Sequence, residues 1–67
     1  MSYYQKRISE LLPGATAEQC REVEDIMRHD IFHSTLDWQT REQFAEGARQ
    51  AWYLLTVVYP LQDVAML

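Results

Sequence analysis

Thr40-Arg41-Glu42-Gln43-Phe44 is the stretch on which the fold turns. A threonine followed three residues later by glutamine, just ahead of an apolar residue, is the pattern of a capping box. The hydroxyl accepts from the backbone N–H three residues on, and the amide oxygen reaches back to the N–H of the cap itself. The same S/T-x-x-Q device occurs at Ser2-Tyr3-Tyr4-Gln5 and at Thr16-Ala17-Glu18-Gln19. Each instance is followed by apolar residues at steps of three and four, so the chain declares three helix starts.

Working outward from these caps, the spacing predicts a first helix over residues 3–12, with Tyr4, Ile8, Leu11 and Leu12 on one face. Pro13-Gly14 stops it, since proline disfavours a helical residue before it and glycine lets the chain turn. A second helix over 17–32 carries Cys20, Val23, Ile26, Met27 and Ile31 as its stripe. Its other side holds Glu18, Arg21, Glu22, Asp25 and Arg28, with Arg21–Asp25 and Glu24–Arg28 as i,i+4 pairs. Residues 33–39 favour turns over helix, with Leu36 and Trp38 expected to fold inward and Trp38 to pack on Phe44 in the manner of a hydrophobic staple.

The third helix is expected over 41–59, with Phe44, Ala48, Ala51, Leu55 and Val58 inward, and with Pro60 ending it. Gly47 beside that stripe suggests the close approach of another backbone. The tail after Pro60 is mostly apolar and suits one further helical turn. Tyr53 to Tyr59 has β-propensity, but nothing else in the chain alternates at period two to pair with a strand. The expected fold is therefore all-α, a small antiparallel three-helix bundle in a single domain over residues 1–67. Its core is expected to hold Ile8, Leu11, Val23, Met27, Phe44, Ala48 and Leu55.

Composition narrows the function. A chain of 67 residues buries only about 60% of its unfolded surface, so its core is marginal. One cysteine excludes an intramolecular disulfide framework and a multi-cysteine zinc site. Ten acidic against six basic residues give a net charge of −4, which disfavours nucleic acid and anionic membrane over most of the surface. The apolar run from Ala51 to Tyr59 is far short of the roughly 20 residues a membrane span needs. With no apolar run of secretory length near Met1, the expected location is cytoplasmic.

The residues that carry chemistry are few. His29 and His33 stand i,i+4 with Asp30 and Asp37 nearby, a spacing that holds a divalent metal on one helix face if the helix runs that far. A turn at His33 would instead leave His29 as an exposed residue near a helix end. Cys20 lies on the apolar stripe, where a free thiol acts as a small hydrophobe, and His29 is about 13 Å further along the same helix, beyond hydrogen-bond reach. The first two helices also suit a helix-turn-helix reader of DNA. Its recognition helix would begin Ala17-Glu18-Gln19-Cys20-Arg21-Glu22, with two carboxylates where phosphates would lie.

The strongest functional signal is apolar excess. Beyond Ala51 the third helix is apolar nearly all round, and two short helices cannot enclose it. The expected function is a non-enzymatic protein-interaction module, an adaptor or inhibitor without cofactor, homodimeric through the third helix and the tail or covered there by a different protein partner. The expected contact residues are Trp52, Tyr53, Leu54, Val57, Tyr59, Leu61 and Met66. The alternatives are a small DNA-binding regulator and, third, a metal site at His29 and His33.

Overall fold

The computed structural model describes residues 2–65, with side chains through Asp63. The fold is all-α, a small bundle of three helices. Helix α1 spans Tyr3–Leu11. Helix α2 covers residues 17–32, with α geometry over Ala17–Ile26 and a π-helical stretch over Met27–Phe32. A 3₁₀ turn at Leu36–Trp38 leads to α3, residues 41–65, which is α-helical over Arg41–Tyr53, π-helical over Leu54–Val58 and α-helical again over Tyr59–Ala65. At about 1.5 Å per residue α3 is roughly 37 Å long, which accounts for the molecule's longest dimension of 38 Å.

The caps form as their spacing dictates, with one exception. Thr16 and Gln19 close a complete box, Gln19 N–H donating to Thr16 Oγ1 at 3.1 Å and Thr16 N–H to Gln19 Oε1 at 2.8 Å. Thr40 and Gln43 do the same at 3.1 Å in both directions. At the first helix only half the box forms. Gln5 N–H donates to Ser2 Oγ at 3.2 Å, but the Gln5 amide turns away and donates to Glu24 Oε1 at 3.0 Å.

That amide joins a polar cluster that clamps α1 antiparallel to α2. Glu24 is buried, yet every bond it needs is present. Its Oε1 accepts from Gln5 and from Ser2 Oγ at 3.3 Å, and its Oε2 accepts from Arg28 Nε at 3.3 Å and Nη2 at 2.9 Å. Arg28 in turn lies 5.2 Å from the Tyr4 ring centre. The Glu24–Arg28 pair thus forms as its spacing suggests, whereas Arg21 pairs with Glu18, at 2.8 Å, instead of Asp25.

The core holds Ile8, Cys20, Val23, Ile26, Met27, Leu36, Phe44, Ala48 and Ala51. Several expectations need correcting. Leu11 is exposed, because the inward line of α1 runs at four-residue steps through Tyr4, Ile8 and Leu12 and leaves Leu11 beside it. Leu55 is only half-buried, since it lies where α3 begins to outrun the other helices. Trp38 points outward and is 78% exposed, while Leu36 in the same turn is buried. With about three residues per 3₁₀ turn these two side chains cannot share a face. Trp38 also lies two residues before the Thr40 cap, one too many for a staple, and Phe44 is already covered by Tyr4 and by the Arg7 guanidinium.

At Gly47 the close neighbour is the ring of Phe32, not a backbone: a Cβ there would lie 2.5 Å from two ring carbons. Pro60 does not end α3. The wider turns of Leu54–Val58 come immediately before it, and a π turn relaxes the clash between a proline ring and the carbonyl four residues back. Thr56 Oγ1, inside this loosened stretch, donates to the Trp52 carbonyl one turn earlier at 2.7 Å.

Candidate interaction surface

The C-terminal half of α3 carries the surface that the composition points to. Its first turns lie on the core through Phe44, Ala48 and Ala51. Further on, Trp52, Leu54, Leu55 and Tyr59 lean against the core edge and are half-buried. Tyr59 fixes this stretch to α2 by donating its hydroxyl hydrogen to Asp30 Oδ2 at 2.5 Å. That bond, desolvation and the repulsion a phenolate would feel from the Asp30 carboxylate raise the Tyr59 hydroxyl above its ordinary pKa.

What the chain leaves bare is a line of three side chains on successive turns. Tyr53 is 59% exposed, Val57 37% and Leu61 64%. Of the seven residues expected at the surface, these three face solvent and Trp52, Leu54 and Tyr59 form its half-covered flank. Met66 lies outside the described residues, as does the side chain of Val64. An open groove of about 460 Å³, lined by Glu46, Arg49, Gln50, Tyr53 and Leu54, runs into the start of the line. From Gln50 through Gln62 the sequence has no charged residue, so the patch is electrically neutral on an acidic chain.

His33 leaves the helix at φ 55°, in the left-handed region, so His29 and His33 do not share a helix face. Among the described residues no three or more His, Cys, Asp or Glu side chains are grouped to hold a metal ion. Cys20 is fully buried, and burial pushes its thiol up from the ordinary value, away from the reactive thiolate. On the would-be recognition helix Arg21 is occupied by Glu18. No described helix is long and apolar enough to cross a membrane. Compared with known proteins, the chain matches no family model, no curated protein and no solved structure.

Two features have no local signal in the sequence. The Glu24 cluster was visible only as an i,i+4 pair, because Ser2 and Gln5 join it across a long-range contact. Trp38 is expected in the core from its hydrophobicity, and no signal in the pattern turns it outward.

Proposed function

We propose that this chain is a small non-enzymatic protein-interaction module, an adaptor or inhibitor that acts as a cytoplasmic homodimer joined through the C-terminal half of α3. The observation that carries this is the exposed line Tyr53, Val57 and Leu61 within a neutral run of helix. Exposed apolar side chains in register on a helix are stabilised when a second apolar face removes them from water, at about 25 cal/mol per Å².

A second copy is the occupant that suits this surface. A twofold axis brings the same patch of each chain together, so any charge on it would meet its own sign. The line Tyr53, Val57 and Leu61 has none, Glu46 and Arg49 of the adjoining groove offset each other as an ion pair, and the net charge of −4 per chain lies elsewhere, screened at physiological salt over about 8 Å. The groove beside Tyr53 and Leu54 offers a recess for an apolar side chain of the partner copy. DNA binding draws less support, because Arg21 is held by Glu18 and Glu22 adds a further carboxylate to the same helix.

Sedimentation equilibrium tests the dimer. The wild-type chain is expected to dimerise in the micromolar range, and Val57→Glu or Leu61→Glu to make it monomeric with the helical circular dichroism intact. Both sites lie outside the buried core, so loss of folding is not expected. A wild-type chain that stays monomeric at high micromolar concentration would remove the homodimer.

A further inference from the structure

Three of the six cationic side chains are held by carboxylates on their own helices: Arg21 by Glu18, Arg28 by Glu24, and Arg49 by Glu46 at 3.7 Å. The other three, Lys6, Arg7 and Arg41, have no ion-pair partner among the described residues. All three line one cleft of about 580 Å³ between α1 and the start of α3, completed by Tyr3, Leu11 and Glu10.

This convergence works against the rest of the electrostatics. Lys6 and Arg7 are neighbours of like charge. Arg41 is the first residue of α3, where the positive end of the helix dipole disfavours a cation. The chain carries ten acidic side chains, yet among the described residues only Glu10 of them lines the cleft. Arg7 is also oriented. Its guanidinium lies 3.9 Å from the centre of the buried Phe44 ring and 5.7 Å from that of Tyr3. Stacked in this way, a guanidinium presents its N–H groups edge-on. Among the described residues the arginines that donate to side-chain acceptors are Arg21 and Arg28, so the donors of Arg7 and Arg41 remain open to a ligand.

We propose that this cleft binds a phosphate monoester, with Lys6, Arg7 and Arg41 on the dianion and the ester's flat organic group against Tyr3 and Leu11. The charges match. Three cations less Glu10 leave two positive charges, and a monoester carries about −1.5 to −2 near neutral pH. A single carboxylate would neutralise about half of that. The arginine fork fits phosphate oxygens in pairs, and the volume lies within the roughly 300–1,000 Å³ of small-molecule sites. A nucleic-acid backbone would need a basic footprint extending beyond the cleft, and the rest of the chain is acidic.

Calorimetric titration of the full chain with phenyl phosphate, adenosine monophosphate, inorganic phosphate and benzoate tests this site. The two esters are expected to bind more tightly than inorganic phosphate, and benzoate most weakly; the tighter ester identifies the organic group the cleft prefers. Arg41→Gln, on an exposed side chain, should weaken ester binding by about tenfold, the worth of a charge-assisted hydrogen bond. Arg7→Gln should do likewise if the fold tolerates loss of the stack on Phe44. Glu10→Gln should tighten binding about threefold by removing the opposing charge. Arg21→Gln, away from the cleft, should change nothing. Benzoate binding as tightly as phenyl phosphate, or an Arg41→Gln chain with unaltered affinity, would overturn the assignment, as would binding of a DNA duplex without binding of either ester.

Discussion

Replacing Gly47 by alanine sets two local effects of opposite sign against each other. In a helix interior alanine is favoured over glycine by about 1 kcal/mol, so propensity alone makes Gly47→Ala stabilising. The new Cβ, however, would sit 2.5 Å from Phe32 Cε2 and Cζ and 3.5 Å from Met27 Cε. Carbon atoms pack best at about 3.5–4.0 Å, so the contact with Met27 is ordinary and the one with Phe32 demands that the ring withdraw by about 1 Å. Phe32 is the last residue of α2, directly before the left-handed His33, and its ring is half-buried against the core. Forcing extra carbon into such a place costs about 1–3 kcal/mol. The net expectation is a loss of about 0–2 kcal/mol in the wild-type background. In a Phe32→Ala background the obstacle is gone, and the same substitution should stabilise by about 1 kcal/mol. Urea denaturation of the four proteins, followed by circular dichroism at one chain concentration, closes the cycle, with a coupling of about 1–3 kcal/mol expected. Equal effects of Gly47→Ala in both backgrounds would show that the Phe32 ring does not fill the space above this glycine.

The caps and the tyrosine tie make two further predictions. Thr16→Ala and Thr40→Ala should each lower stability by about 1 kcal/mol in thermal unfolding, through a helix-start N–H left without its acceptor. If Thr40→Ala is neutral, the third helix does not begin at that cap. The raised Tyr59 hydroxyl favours the folded state while it keeps its proton, so its contribution is complete below the ordinary tyrosine value of 10.0 and is lost as pH rises through the higher folded value. The stability difference between wild type and Tyr59→Phe should therefore be constant near neutrality and shrink above about pH 10. A difference that grows with alkali would mean that Asp30 does not accept from this hydroxyl.

The features legible in the sequence are those made by residues three or four apart. Capping needs only a hydroxyl and an amide at i and i+3, so Thr16 with Gln19 and Thr40 with Gln43 close as written, and the helices they start bury Val23, Met27, Phe44 and Ala48 as the spacing requires. The bare apolar line on α3 was legible for the same reason, because a nearly continuous apolar run cannot hide every face of one helix. Tertiary structure decided the rest wherever a group had two partners to choose between. Gln5 prefers the buried Glu24 to its own cap, since a buried carboxylate without donors would be far more unfavourable than an exposed N–H left to water. Leu11 and Trp38 stay outside the core, where Leu12, Tyr4 and the Arg7 guanidinium pack instead from other directions. Pro60 passes through α3 because the turns ahead of it widen, which no reading of proline alone foretells. Lys6 and Arg7 meet Arg41 only when α1 docks against the start of α3. Local hydrogen bonds and periodicity are written in adjacent residues; competition for a buried site is settled only when distant segments arrive together.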